Sequence, residues 1–156
     1  MRINRHILAI FTLLGTVSMV DIRPIFAADI SLRPTNTIAV NAGKSIYADH
    51  CASCHGENLE GQPNWRDTLP SGRMLAPPHD KTGHTWHHSD GLLFKVTKLG
   101  TSKVVGGGYQ SDMPAFEEVL TDHQIIDVLS FIKSTWSMEF RRLHDSVNER
   151  VKLYGE

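Results

Sequence analysis

The chain has 156 residues, the length of a single domain, and its 16 basic and 17 acidic side chains leave a formal net charge of −1. A nucleic-acid partner would call for a concentrated basic surface, so this balance argues against one. Both cysteines and several of the histidines fall into two short stretches, which makes those stretches the first candidates for a functional site.

The N-terminal segment has the pattern of a secretory signal peptide. Two arginines precede an apolar run over residues 7–20, and small residues stand before Asp29. The run is shorter than the about 20 apolar residues that a bilayer-spanning helix needs. We therefore expect residues 1–28 to direct export to the periplasm and to be cleaved. A retained signal is the alternative, and it would anchor the protein to the membrane.

The next elements are predicted from caps and from the spacing of apolar residues. Residues 29–42 are polar and predict a lead-in segment, and a short helix is expected over residues 43–51. A long loop rich in glycine and proline follows. Ser89 then has the position of an N-cap for a helix over residues 90–99, with Gly100 as its end.

The second half of the chain predicts two further helices. Residues 101–113 hold three consecutive glycines and predict a flexible connection. Thr121 and Gln124 form a capping box, which opens a helix ending near Thr135. In residues 137–156 apolar side chains recur every three or four positions, which predicts an amphipathic helix on the domain's own surface, or alternatively a helix that docks onto a partner. No stretch alternates with period two, so the expected fold class is all-α.

The stretch DHCASCHG, residues 49–56, contains both cysteines, and three kinds of site use cysteines at this spacing. A structural zinc site needs about four ligands, which only a strained set of histidines from residues 79–88 would complete. A redox disulfide of the thioredoxin type needs a βαβ context that the helical pattern does not provide. In covalent haem attachment, Cys51 and Cys54 bind one edge of the haem, and His55 directly after them binds the iron. This third chemistry also suits an exported chain, and it is the one we expect.

An iron bound by His55 leaves one axial position for a second ligand. Met113 is the expected ligand, because it lies beyond the glycine-rich segment and directly precedes a proline. A thioether opposite an imidazole raises the reduction potential and favours electron transfer over oxygen binding. The alternatives are Met74, Met138 and a histidine from residues 79–88.

With these residues assembled, the chain resembles the class I monohaem cytochromes c over residues 43–136. The resemblance rests on the CASCHG motif, on the intervals between Gly43, Tyr47 and Cys51, and on the sequence DMPAF at residues 112–116. It implies a small all-α domain of three or more helices wrapped around one covalently bound haem c. In this chain the C-terminal amphipathic helix is added to that domain.

The resemblance also implies particular contacts. The last helix of the family crosses the helix before the cysteines, so Gly43 is expected to allow close approach and Tyr47 to pack against Phe131. A proline carbonyl accepts a hydrogen bond from the iron-bound imidazole, and Pro77 or Pro78 has that position in order. Side chains that would meet the haem propionates are Trp86, Tyr109 and Arg73.

These expectations predict a one-electron carrier rather than an enzyme, since the motifs include no catalytic acid, base or nucleophile. Its partners would be redox proteins: a dehydrogenase or quinol-oxidising complex on one side, and an oxidase or reductase on the other. Two alternatives are a haem subunit docked in a membrane oxidoreductase complex, and a haem sensor or peroxidase-like protein with a labile sixth ligand. The histidines of residues 79–88 are expected to hydrogen-bond or solvate a loop, with a copper or other metal site as the alternative.

Overall fold

The computed structural model describes residues 30–155, so the predicted signal peptide lies outside the described residues. Within that range the chain forms six α-helices and one turn of 3-10 helix. In chain order these are α1 (Thr37–His50), α2 (Ala52–His55), the 3-10 helix (Thr85–His87), α3 (Asp90–Leu99), α4 (Thr101–Val105), α5 (Asp122–Thr135) and α6 (Met138–Tyr154). The described residues contain no strand, only an isolated bridge between Thr68 and Met74. The expected all-α class is confirmed.

The first helix is longer than the sequence predicts. α1 begins at Thr37 rather than at Gly43, because the Asn36 side chain caps it and accepts hydrogen bonds from two backbone N–H groups of the first turn (both 3.1 Å). The prediction of a lead-in over residues 29–42 is therefore wrong from Thr37 onward. The polar residues that suggested a loop lie on the exposed side of α1, where they cost little as helix surface.

The later helix boundaries follow the local signals. The Ser89 hydroxyl caps α3 by accepting the Leu92 N–H (3.0 Å), and the helix ends at Gly100. The capping box of Thr121 and Gln124 opens α5, and both of its hydrogen bonds are present. These two predictions are confirmed. The predicted flexible connection over residues 101–113 is wrong at its start, because its first five residues form α4.

The crossing of α1 and α5 is the main helix–helix contact of the described chain. A Cβ atom at Gly43 would lie 2.0 Å from the Asp127 carbonyl oxygen, so only glycine lets the two backbones approach this closely. Tyr47 packs against Phe131 with ring centroids 5.5 Å apart, as the resemblance implies. The Tyr47 hydroxyl also donates to the Gly56 carbonyl (2.8 Å), which ties α1 to the end of α2.

The C-terminal helix packs on the domain's own surface, as the sequence favours. Its Phe140 ring meets Trp86 edge to face, with 4.9 Å between ring centroids. Further along the same helix, His144 is fully buried against Trp136. The last turn projects into solvent, where Leu153 and Tyr154 are exposed. No helix in the described part of the chain is long and apolar enough to cross a membrane.

A buried polar cluster joins α6 to α3 and α5. Asp90, Lys133 and His144 are 5%, 4% and 0% exposed. One Asp90 oxygen lies 3.9 Å from Lys133 Nζ and 3.4 Å from His144 Nε2, and the other accepts the Leu32 N–H (2.9 Å). Lys133 is also paired with Asp145 of α6 at 2.7 Å. Burial, followed by the Lys133 charge, lowers the pKa of His144, so this imidazole is neutral in the folded protein.

Candidate haem-binding site

The two cysteines lie where α1 meets α2. Cys51 is the residue between the helices, and Cys54 follows one helical turn later. No disulfide joins them; Cys51 is half-buried and Cys54 is exposed. Burial, followed by the nearby Cys54, raises the pKa of the Cys51 thiol to about 11. Two cysteines one helical turn apart and not bonded to each other suit attachment to two points of one planar group.

The imidazole of His55 is buried at the end of α2, with 7% of the residue exposed. Its Nδ1 is hydrogen-bonded to the Pro77 carbonyl oxygen (2.8 Å), so Nδ1 carries the proton and Nε2 keeps its lone pair. Burial lowers the pKa of His55, although the hydrogen bond to Pro77 opposes that shift. A neutral imidazole with one nitrogen held by a carbonyl is the usual form of a metal-binding histidine.

A second imidazole lies against His55. The rings of His55 and His79 are stacked, with centroids 4.0 Å apart and planes inclined by 23°. Burial, followed by the neighbouring imidazoles of His55 and His84, lowers the pKa of His79 well below its ordinary value. The sequence pointed to His79 only as one of a histidine cluster. The signal for its separate position was that it directly follows the pair Pro77 and Pro78.

Met113 packs half-buried against the same apolar core as Cys51. Its sulfur lies 3.5 Å from the Thr101 hydroxyl, and its N–H donates to the Ser111 hydroxyl (3.1 Å). Ser111 is fixed in turn, because its own N–H donates to Ser102 in α4 (2.9 Å). The short helix that the sequence missed thus holds the segment that carries Met113.

An ion pair connects the Met113 segment to the loop between α2 and the 3-10 helix. Arg73 binds the carboxylate of Asp112, the residue directly before Met113. Both side chains are well exposed, so the pair adds little to the free energy of folding by itself. It does hold together two segments that lie far apart in sequence on either side of α3.

The alternative sulfur ligands have other environments. Met74 is 38% exposed, and its sulfur accepts a hydrogen bond from the Thr68 hydroxyl (3.4 Å) within the isolated bridge. Met138 is 62% exposed at the start of α6. The His79 ring is stacked directly against the His55 ring, so a haem would not fit between them. His79 is therefore not placed to bind the iron on the side opposite His55.

The remaining candidates fall into two groups. Pro77, rather than Pro78, accepts the hydrogen bond from His55. Among the described residues, Nε of Arg73 and Nε1 of Trp86 are buried donors without a hydrogen-bond partner, as expected of groups that meet an acceptor from outside the chain. Tyr109 is half-buried after the glycine turn and has no aromatic partner within residues 30–155.

This donor set fits a haem. It combines two thiols a helical turn apart, a neutral imidazole with a free Nε2, a half-buried thioether and two buried donors that suit carboxylates. Cys51 and Met113 lie on different elements and pack against one apolar core, and Tyr47 of that core is hydrogen-bonded to Gly56, the residue after His55. Tyr109 contributes no contact that supports a role in this set.

Two other histidines of residues 79–88, His84 and His88, form an aromatic cluster with Trp65, while the His87 ring lies against Trp86. The His84 ring stacks on Trp65 (5.4 Å) and meets His88 edge to face (5.2 Å), while the Arg66 guanidinium lies over the Trp65 ring (4.2 Å). Burial, followed by His88, lowers the pKa of His84. No group of three or more potential ligand side chains within residues 30–155 is arranged to hold a metal ion. These contacts instead hold the segment that carries His84 and His88 against Trp65, in the earlier part of the same loop.

Comparison with known proteins agrees with this site. The family model described as cytochrome c matches residues 40–136. A curated relative, the cbb3-type cytochrome c oxidase subunit CcoP of Azospirillum brasilense, is 28% identical over 107 residues, which are 69% of this chain and 32% of the relative. The corresponding subunit of Rhodobacter capsulatus is 42% identical over 36 residues, which are 23% of this chain and 12% of the relative. The chain thus spans about a third or less of the length of these curated relatives, and no solved structure matches it. The chain belongs to the cytochrome c family and carries covalently bound haem c.

Proposed function

We propose that this haem c protein is a one-electron carrier in which His55 and Met113 are the axial ligands of the iron. The haem supplies the Fe(III)/Fe(II) couple. The observation that carries the proposal is that the chain already restrains both residues by hydrogen bonds, and that Met113 packs against the apolar core from which Tyr47 reaches the end of α2. His55 is held through Nδ1 by Pro77, and Met113 through its backbone by Ser111.

The chain's own contacts support rapid electron transfer. Electron transfer is fast when the ligands move little between oxidation states, and both proposed ligands are restrained by hydrogen bonds. The Thr101 hydroxyl can hold one lone pair of the Met113 sulfur and leave the other for the metal. The pair of Arg73 and Asp112 holds the Met113 segment against the opposite loop. A haem held by His55 and Met113 would supply one-electron chemistry and would leave no iron position open to a substrate.

The proposed site of action is the periplasm, reached through the signal peptide predicted in residues 1–28, or the membrane surface if that segment is retained. In either place the partners would be redox proteins. A dehydrogenase or quinol-oxidising complex would donate the electron, and an oxidase or reductase would accept it. The near-neutral charge of the chain gives no support to a nucleic-acid partner.

The ligand assignment is tested by replacing Met113 with alanine. Oxidised wild-type protein is expected to show the weak far-red sulfur-to-iron band of a methionine-bound low-spin haem. The Met113→Ala variant should lose this band and show a large fall in reduction potential, a sizeable part of the about 0.8 V that axial ligands span. Optical spectra and a redox titration measure both effects.

Two matched variants make that result specific. Met74→Ala and Met138→Ala remove the other sulfurs considered, and both should keep the band and the potential of the wild type. Loss of the band in Met74→Ala, together with its survival in Met113→Ala, would transfer the ligand role to Met74. A wild-type protein without the band would favour the labile-ligand alternative, a haem sensor or peroxidase-like protein.

The similarity to CcoP favours a second candidate, a haem subunit docked in a terminal oxidase complex. The two candidates differ in what a native-host extract contains. A carrier with a cleaved signal is expected in the soluble periplasmic fraction and should elute from gel filtration as a monomer. A docked subunit would instead appear in detergent-solubilised membranes and co-elute with oxidase activity. Haem absorbance of the column fractions, with an antibody against the chain, decides between them.

A further inference from the structure

We infer that His79 is a positioning residue for the haem, and that its ring fixes the plane in which the His55 imidazole meets the iron. This inference rests on the proposed role of His55 as an axial ligand. It concerns a residue that belongs neither to the cysteine motif nor to the hydrogen bond that His55 donates to Pro77.

The hydrogen bond to Pro77 restrains only part of the His55 ring. It fixes the direction of Nδ1 at 2.8 Å, but hydrogen bonds tolerate tens of degrees of tilt about the donor–acceptor line. The face of the ring needs a second contact. His79 supplies it, because its ring lies 4.0 Å away and is nearly parallel to His55.

His79 is itself held from several sides. Its N–H donates to the Leu59 carbonyl (2.8 Å), and its own carbonyl accepts the indole N–H of Trp136 (2.7 Å). Its ring nitrogen Nδ1 is hydrogen-bonded to the Thr85 hydroxyl (2.8 Å). Leu59, Trp136 and Thr85 are all buried. The plane of the His79 ring is therefore set by the fold and does not simply follow His55.

The backbone around His79 is also restricted. Pro78 directly before it is fully buried, and a Cβ atom at Gly83 would lie 1.9 Å from the Pro78 carbonyl oxygen. The turn that carries His79 is thus closed tightly against itself. The His79 ring also makes an edge contact with Tyr47 (6.3 Å between centroids), whose hydroxyl donates a hydrogen bond to the carbonyl of Gly56 beside His55.

The orientation of an axial imidazole has an electronic consequence. The plane of the imidazole ring determines which iron d orbital overlaps with the π orbital of the ring. The plane therefore controls the energy splitting of those d orbitals in the ferric state. Electron paramagnetic resonance (EPR) of frozen oxidised protein reads this splitting as the g values, and it reads a spread of ring orientations as line broadening. A residue that acts only on folding would change stability and leave these values unchanged.

The experiment compares four variants of the full haem-loaded protein by EPR. His79→Leu keeps similar volume but removes the flat face, and its low-spin signal is expected to broaden and shift in its largest g value. His79→Phe keeps a flat face and should restore narrow lines close to those of the wild type. Thr85→Val leaves His79 in place but removes its ring hydrogen bond, and it should broaden the signal to a lesser extent. His123→Leu, an exposed histidine on α5, is the matched control and should match the wild type.

Two results would overturn the inference. One is a His79→Leu signal identical to that of His123→Leu, and the other is an equal shift in His79→Leu and His79→Phe, which would assign the effect to polarity and not to stacking. If His79→Leu fails to acquire haem, Thr85→Val decides, since an unchanged signal there would show that His79 orientation does not matter. The far-red band of the wild type is recorded in the same samples, so a failure of the His55 and Met113 assignment is visible separately from a failure of this one.

Discussion

Replacing both Cys51 and Cys54 by alanine is expected to give a chain that carries no covalent haem and has lost most of its helical circular dichroism. The two thiols are the only cysteines of the chain, so the double variant has no point of attachment. The fold around the site depends on the haem as well. α4 has no buried residue, and His55 is the only buried residue of α2. Without the haem to cover them, these short helices have little apolar contact to stabilise them.

The loss of structure should be uneven across the molecule. The crossing of α1 and α5 buries its own apolar contacts through Gly43, Tyr47 and Phe131, so part of the helical signal from that pair should persist longest. Mass spectrometry reports attachment, and circular dichroism reports helicity. Ser53→Ala, which changes the exposed residue between the cysteines, is the matched control and should keep both haem and fold. Native helicity in the haem-free double variant would contradict the expectation.

Local signals account for what the sequence predicted well. A cap and a stop lie within one turn of the helix that they bound, so Ser89 with Gly100 and Thr121 with Gln124 placed α3 and the start of α5 correctly. The prediction of the start of α1 was wrong for a related reason. Asn36 is a good cap, but the residues after it form an exposed helix face and have the sequence character of a loop. The sequence did not predict α4, because this helix is short and is followed directly by three glycines.

The residues of the site show the same difference between features with a local sequence signal and features without one. The spacing of Cys51, Cys54 and His55 is a local pattern, and Met113 is marked by the proline that follows it. The stack of His79 on His55 is not local, because it depends on how the loop through Pro77 returns to α2. The sequence indicated that return only through the family resemblance, which placed Pro77 or Pro78 beside His55, and it did not indicate the ring stack.

The buried polar cluster is the clearest case of a tertiary feature that the sequence hides. Asp90, Lys133 and His144 are ordinary polar residues of three helices, and each would read alone as surface. Only the packing of α6 onto α3 and α5 brings them together and removes them from water. The sequence predicted that α6 packs on the domain, but not that an ionic contact under the helix would hold it there.

Replacing Asp90 by alanine is expected to lower the free energy of unfolding of the haem-loaded protein by about 3 kcal/mol, because it leaves the buried Lys133 cation with only the exposed Asp145 as a counter-charge. Lys133 is 4% exposed, and the N–H of Leu32 would lose its acceptor in the same variant. Asp145 remains paired with Lys133, but it lies at the surface, where water weakens the interaction. Denaturant titration followed by circular dichroism measures the change.

Three comparisons show whether the uncompensated charge is the cause. Asp145→Ala removes the exposed partner of Lys133 and should cost at most about 1 kcal/mol. Asp90→Asn keeps an acceptor for the Leu32 N–H and should lie between the wild type and Asp90→Ala. Adding Lys133→Met to Asp90→Ala removes the buried cation that has lost its buried partner, so the double variant should be more stable than Asp90→Ala alone. If Lys133→Met gives no recovery in that background, the loss comes from the packing of α6 and not from the buried charge.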